Sequence, residues 1–309
     1  MNTAFTSFSR AILLTAGVLL AGGCTRDPGG MRIGFVLKTM QEDRYTLDRD
    51  AFIERVQAQG AEVLFRSSDN NEETEERHVE ELLDRKCRVI VFQPVNTATA
   101  GALTKRVRDA GVKIIGYDTM LVNGPLDLMV MQDSWAVGRL QAEALVRWLK
   151  KTKGRASGGV VLIKGHPGDS NANAMSSGVL EALRRNPGIR LIAERSHEHW
   201  LPERAAETAA AFLKTHGTGV DAFICNNSGL CRGVITALDN AGRADSSRVF
   251  TAGSDADLVN IRWIAQGRQT IKVWKKITPL AHAAADAALS MAKSPDAAPS
   301  TWAPVNKII

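Results

Sequence analysis

Basic clusters, aromatic side chains, cysteines and membrane-length apolar runs are all scarce in this sequence, and each scarcity removes a class of function. The apolar stretch near the start, Ala11–Leu20, is shorter than the ~20 residues that a membrane-crossing helix needs. The net charge of +6 is spread over 39 basic and 33 acidic residues without a basic run, which denies nucleic acid its usual electrostatic footprint. Four cysteines are present, and once Cys24 is set aside the remaining three allow at most one internal disulfide. Cys225 and Cys231 either form that bond or sit as two small buried thiols, and their spacing matches no zinc site. No Gly-x-Ser-x-Gly follows an apolar strand, so a serine nucleophile elbow is missing. Gly158-Gly159 precedes a strand rather than following one and makes no phosphate loop. His166, His197 and His199, near Asp169 and Glu198, occupy loops without a helix-spaced pair and read as solvated histidines rather than metal ligands.

The first residues have a clear layout. Arg10 leads into the apolar stretch, and Ala21-Gly22-Gly23 then precedes Cys24. Small residues before a cysteine suit a lipoprotein signal, cleaved at the cysteine, which then carries lipid. Residues 1–24 are therefore expected to be the signal peptide and 25–30 a flexible tether. The chain is placed in the periplasm or at the cell surface, lipid-anchored to a membrane through Cys24.

With 309 residues, 44% hydrophobic and 23% charged, the chain exceeds the usual range of a single core and points to two domains. From Ile33 onward short apolar runs alternate with amphipathic segments. Ile33–Leu37, Glu62–Phe65, Arg88–Phe92, Val112–Tyr117 and Leu128–Met131 read as strands. The pattern restarts at Ser134 with strands at Val160–Ile163, Ile189–Ala193, Val220–Ile224, Arg248–Ala252 and Thr270–Trp274. Ten strands alternating with helices predict an α/β protein of two doubly wound parallel-sheet lobes rather than an eight-fold barrel. Ligands of such sheets sit beyond the carboxyl ends of the strands, which first draws attention to Lys38, Arg44 and Tyr45.

Collected by chemistry, the strand-end candidates for ligand binding are Arg44, Asp118, Asp169, Asn171, Asn227, Asp255 and Lys275, with Tyr45 and Trp200 as aromatics. Carboxylates accept from hydroxyl groups, Arg and Lys donate, Asn does both, and aromatic faces cover C–H surfaces. That mixture suits a polyhydroxylated ligand. Asp169 and Asp255 also have a simpler reading as helix N-caps.

The chain resembles the sugar-binding proteins of ABC importers with the type I periplasmic-binding fold, and among them the xylose-binding proteins most. The resemblance runs over about residues 31–288. It is carried by Glu42-Asp43-Arg44-Tyr45 with Asp48-Arg49-Asp50, Asn71-Glu72-Glu73-Thr74, Tyr117-Asp118, Asp169-Ser170-Asn171-Ala172, Trp200-Leu201-Pro202-Glu203, Gly253-Ser254-Asp255-Ala256-Asp257-Leu258, and Val273-Trp274-Lys275 with Ile277-Thr278. It implies that the seven polar candidates contact sugar hydroxyls and that Tyr45 and Trp200 sandwich the ring. It also implies an N-terminal lobe of residues 31–133 with 277–298, a C-terminal lobe of 134–276 with 299–309, and a three-strand hinge between them. The expected function is that of a monomeric substrate-binding lipoprotein, without cofactor or catalytic residue. It captures xylose or a related aldose and delivers this monosaccharide to an ABC permease.

Some positions depart from the resemblance. Thr119 stands where the xylose-binding proteins have Arg, Ser170 where Asn is usual, Ser228 where Asp is usual, and Met131-Gln132-Asp133 where Phe-Asp-Asn is usual. A Thr at 119 predicts a gap, filled either by water bridging to a xylose-like ligand or directly by a bulkier sugar, a hexose or a substituted pentose. Two other functions stay compatible with the residues. One is a sugar sensor reporting to a membrane kinase or chemoreceptor. The other is a glycoside hydrolase using two of Asp118, Asp169 and Asp255, which would need to lie about 5–10 Å apart.

Overall fold

A computed structural model describes Met1 and residues 30–294 apart from Val122 and Ala256. Cys24, the signal segment and the 299–309 tail lie outside the described residues. The first sheet contains β1 (Arg32–Leu37), β2 (Glu62–Ser67), β3 (Val89–Phe92), β4 (Lys113–Asp118) and β5 (Leu128–Met131). Its connecting helices are α1 (Asp43–Gln57), α2 (Glu72–Asp84) and α3 (Gly101–Asp109). After α4 (Ser134–Lys153) the second sheet follows, with β6 (Gly158–Lys164), β7 (Ile189–Ser196), β8 (Ala222–Cys225), β9 (Phe250–Ser254) and β10 (Ile271–Val273). These strands alternate with α5 (Ser170–Arg184), α6 (Pro202–His216), α7 (Ser228–Asn240) and α8 (Leu258–Ala265), and α9 (Ile277–Lys293) closes the series.

All strand pairings within both sheets are parallel. Parallel strands covered by helices are buried on both faces, which is why Val89–Phe92 and Ala222–Cys225 are apolar throughout and buried throughout. The strand orders, β2-β1-β3-β4-β5 and β7-β6-β8-β9-β10, are the same order written twice. Both reverse direction next to their first strand, between β1 and β3 and between β6 and β8. Loops diverge at such a point and open a crevice beyond the carboxyl ends. The doubly wound α/β fold expected from the alternation is present.

The last helix packs back on the first sheet. Leu280, Ala281, Ala284, Ala285 and Ala288 recur at helical spacing and join Phe35, Phe52 and Tyr117 in one core. Alanine at these positions lets α9 approach closely, and Arg55 fastens α1 to it through both Asp286 oxygens at 2.8 and 3.1 Å. The chain therefore crosses between sheets after β5 and again after β10. Gln132 Nε2 donates to the Lys276 carbonyl at 2.9 Å and ties these two crossings together. The third strand expected for the hinge falls on the tail outside the described residues.

Several boundaries differ from the apolar pattern. Strand β9 begins at Phe250 rather than Arg248, because the Arg248 and Val249 amides both bond the Asp245 carbonyl and hold a turn. Strand β7 runs three residues beyond Ala193, with a register shift opposite Val160/Val161 that its sequence does not announce. Cys225 and Cys231 are free and buried, the second of the two readings left open for them.

Candidate functional site

The nine candidate residues converge. Arg44, Tyr45, Asp118, Asp169, Asn171, Trp200, Asn227, Asp255 and Lys275 line one cavity between the carboxyl ends of the two sheets, together with Lys38, Glu42, Met175 and Ser254. The free space is small, about 20 Å³, because side chains from both lobes meet across it. Lys38, at the end of β1, and Arg44 and Tyr45, in the first turn of α1, come from the first lobe with Asp118, the last residue of β4. Asp169 and Asn227 are the N-cap residues of α5 and α7, and Asp255 and Lys275 follow β9 and β10.

Arg44 is the centre of the charge network. Its Nε and Nη2 donate to Asp48 Oδ2 and Oδ1 at 3.0 and 3.2 Å, and its Nη1 lies 3.1 Å from Asp118 Oδ2 and 3.9 Å from Asp255 Oδ1. Tyr117 donates its hydroxyl hydrogen to Asp48 from behind. Lys275 Nζ stands 3.9 Å from Asp118 Oδ1 and 3.5 Å from Asp255 Oδ1. Burial works against ionisation of Asp118, but the charges of Arg44 and Lys275 prevail and hold its pKa at about 2. Burial also opposes the Arg44 charge, yet Asp118 and Asp48 outweigh it and raise its pKa well above the ordinary value.

Reaching toward the second lobe, Lys38 Nζ lies 2.5 Å from Asp169 Oδ2 and 5.1 Å from the centroid of the Trp200 ring. Burial opposes its charge too, but Asp169 and Glu42 overcome that and raise its pKa. Glu42 is pushed the other way: burial, aided by the Asp255 charge, lifts it to about 7 against the pull of Lys38 and Arg44. Asn171 joins the lobes by donating from Nδ2 to the Asp118 carbonyl and to Oδ2, both at 3.2 Å. Ser134 orients Asn171 by donating to its Oδ1 at 2.7 Å.

Backbone conformation is unusual at these positions. Asp118, Asp255, His199 and Trp200 have φ of 59°, 79°, 53° and 58°, in the left-handed region that non-glycine residues avoid. At Asp118 a three-residue turn enforces it, with the Thr119 amide 2.6 Å from the Tyr117 carbonyl. Trp200 ends a short 3-10 turn, Glu198–Trp200, just before Pro202 starts α6.

Asp169 does cap its helix, accepting from the Asn171 amide at 2.8 Å, while its second oxygen faces Lys38. Asp255 caps nothing, since the N-cap position of α8 is Asp257. Four buried polar atoms on the wall make no hydrogen bond among the described residues: Asp118 Oδ1, Asp255 Oδ1, Glu42 Oε2 and Trp200 Nε1. Buried groups of this kind are costly unless a partner arrives. A ligand rich in hydroxyl groups would satisfy all four.

Two expectations require correction. Thr119 does not border a gap: it is fully buried, and its hydroxyl accepts from Gln93 Nε2 at 3.2 Å and from Asn171 Nδ2 at 3.4 Å. Gln93 also donates to Asp118 Oδ2 at 3.1 Å and fills the neighbourhood. Nor is His197 solvated, since it is buried with Nδ1 on the Lys164 carbonyl and Nε2 on Thr208 Oγ1. Lys38 and Glu42 reach the cavity without having joined the nine candidates. Lys38 carried a signal in its strand-end position, whereas the role of Glu42 at the N-cap of α1 depends on the other lobe. Among the described residues no cluster of three or more His, Cys, Asp or Glu is placed to hold a metal ion.

A larger groove of about 250 Å³ lies between α4 and α5, lined by Arg139–Glu143 and Arg185–Glu181 pairs together with Arg147. It offers no convergent polar set comparable to the interlobe cavity.

Comparison with known proteins agrees with the geometry. Residues 33–296 match the periplasmic binding protein domain family. The D-xylose-binding periplasmic protein of Escherichia coli K12 is 31% identical over 264 residues, covering 84% of this chain and 78% of that protein. Its counterpart in Haemophilus influenzae is 29% identical over 287 residues, covering 92% and 84%. Among solved structures, an ABC transporter solute-binding protein from Bacillus halodurans with bound myo-inositol superposes with a TM-score of 0.80 at 22% identity, covering 88% of this chain and 92% of that one. A carbohydrate transporter solute-binding protein from Agrobacterium radiobacter in complex with D-arabinose also reaches 0.80, at 18% identity, covering 86% and 90%. These relatives are binding proteins of transport systems and not enzymes, which removes the glycoside hydrolase. In sequence, strand order and the position of its cleft, the chain belongs to the periplasmic binding protein family.

Proposed function

We propose that this chain is the substrate-binding lipoprotein of a sugar ABC importer, capturing a monosaccharide, xylose or a related aldose, between its two lobes. The observation that carries the reading is the interlobe cavity, where hydrogen-bonding side chains of both lobes surround three carboxylate oxygens and a Trp200 N–H that make no hydrogen bond among the described residues. Sugar hydroxyls supply donors and acceptors to such a wall, and ring C–H faces stack on Tyr45 and Trp200. Contacts from both lobes to one ligand stabilise only the closed arrangement, so binding shifts the open–closed equilibrium that a permease reads.

The test is a thermal-shift screen of purified protein against neutral pentoses and hexoses. A ligand at 100 times its dissociation constant adds about 2.7 kcal/mol to stability. Absence of a shift with every sugar would overturn the proposal. Lipid anchoring through Cys24 has its own check: Cys24→Ser should move the protein from the membrane fraction to the soluble extract, and an unchanged distribution would refute the anchor.

A further inference from the structure

The charges of the cavity lining balance only while Glu42 is neutral. Three carboxylates, Asp118, Asp169 and Asp255, face three cations, Lys38, Arg44 and Lys275, with Asp48 outside the lining on the far side of Arg44. Glu42, the fourth carboxyl of the lining, leaves one negative charge over when ionised. The lining atoms that make no hydrogen bond lean the same way, being three carboxylate oxygens, all acceptors, against a single N–H donor, that of Trp200, with Lys275 Nζ 3.9 and 3.5 Å from two of the oxygens. The best complement has more donors than acceptors and carries positive charge. An ammonium group has three donors and no acceptor, whereas a hydroxyl adds two acceptor lone pairs to a wall that already has too many.

Lys38 shows what the aromatic wall favours. Its own ammonium lies over the Trp200 ring at 5.1 Å while paired with Asp169 at 2.5 Å. A ring stacked on the face of Trp200 that Lys38 covers would move that ammonium aside and weaken both a cation–π contact and a desolvated ion pair. A ligand with its own ammonium restores them. A neutral ring cannot.

We propose that the site selects a sugar or cyclitol bearing an ammonium group over the same ring with a hydroxyl or carboxylate in its place, and that Glu42 is the residue setting this preference. The inference rests on the sugar-binding reading above. Glu42 is suited to the role because its Oε2 is buried without a hydrogen bond, and its side chain makes no cap bond to α1. The charges that act on Glu42 come from Lys38 on β1, Arg44 on its own helix and Asp255 after β9.

Matched rings decide the question by calorimetry: glucosamine against glucose and glucuronate, galactosamine against galactose, and N-acetylglucosamine as a bulky neutral control. The amino sugar should bind about tenfold or more tightly than its hydroxyl parent, and the uronate should bind worst. At about pH 6.5 its binding should also release protons, measured in buffers of different ionisation enthalpy, because a neighbouring ammonium drives Glu42 to its carboxylate. Glu42→Gln should abolish the proton release and most of the preference, while Glu42→Asp, which keeps the charge, should retain part of both. Melting curves of the variants establish that the fold is intact. Equal or weaker binding of the amino sugars, or a preference and proton release that survive Glu42→Gln, overturns the inference and leaves the sugar-binding reading standing. Binding by no ring of any pair overturns both.

Discussion

A methyl group on Gly165 would lie 2.3 Å from two atoms of the Trp200 ring, a distance that no packed pair tolerates. Glycine is thus what lets Trp200 stand against the end of β6 as the aromatic wall. Gly165→Ala should displace the ring, weaken ligand binding by ~1–3 kcal/mol and change the tryptophan fluorescence; unaltered affinity in a titration would show that the ring is not a ligand contact. Glu75 is a second residue with a measurable signature. It is buried, accepts from the Val95 amide at 2.7 Å, and burial pushes its pKa up to about 8. A carboxyl whose folded pKa is raised favours the folded state while protonated, so stability should fall as pH rises from about 4.5 to about 8 and stay level above. The slope has an upper limit of about 1.4 kcal/mol per pH unit. Glu75→Gln keeps the acceptor, cannot titrate and should remove this component of the denaturation profile, leaving trends of the same sign from Glu42, Asp48 and Asp257 and of the opposite sign from His78, His166 and His197. An identical profile in the variant would show that Glu75 is ionised in the fold. The strand-end site residues were legible from the sequence because a parallel sheet always presents that end to a crevice. Thr119 was misread because the partners that bury it, Gln93 and Asn171, lie 26 and 52 residues away.

Among the elements, α4 and α5 approach so closely that their backbones nearly touch. A Cβ on Gly138 would lie 1.8 Å from the Met175 carbonyl oxygen, and one on Gly178 would lie 2.0 Å from that of Trp135. The crossing matters to the site because Ser134 begins α4 and holds Asn171 in the first turn of α5. Gly178→Ala should separate the helices and cost ~1–3 kcal/mol as overpacking, read as a lower urea midpoint. A midpoint within error of the parent would mean that the crossing has slack. Apolar periodicity revealed both helices, yet nothing local in Gly138 or Gly178 distinguishes a contact glycine from a helix-weakening one. The same holds for α9, whose alanine face is plain in the sequence while its partner sheet is not, since that sheet ended about 150 residues earlier.

At the scale of the molecule, the two lobes are joined covalently at the crossings and non-covalently by Lys38–Asp169, Asn171–Asp118 and Arg44–Asp255. Lys38–Asp169 is the shortest of these, and both partners are almost wholly buried. Lys38→Met removes the cation and leaves Asp169 desolvated, which should favour an arrangement that lets water reach it. The ligand-free variant should therefore show a larger radius of gyration in solution scattering than the parent, and saturating sugar should narrow the difference. Identical radii would mean that the lobes are held together by the hinge rather than by this pair. The repeated strand order was readable as alternation, but the meeting of the lobes was not, because it depends on contacts between residues distant in sequence, such as Lys38 and Asp169, 131 positions apart, and the still more distant Arg44 and Asp255.

The left-handed backbone at Asp118, Trp200 and Asp255 has a consequence for how the protein can change over generations. Each such residue holds ~1–3 kcal/mol of strain that glycine would relieve at once. Screening a library for heat resistance alone should enrich glycine at these three positions and return a sturdier protein with a ruined cleft. Affinity and robustness thus compete at single codons, and any lineage that retains Asp118, Trp200 and Asp255 reveals that it has been judged by what it binds.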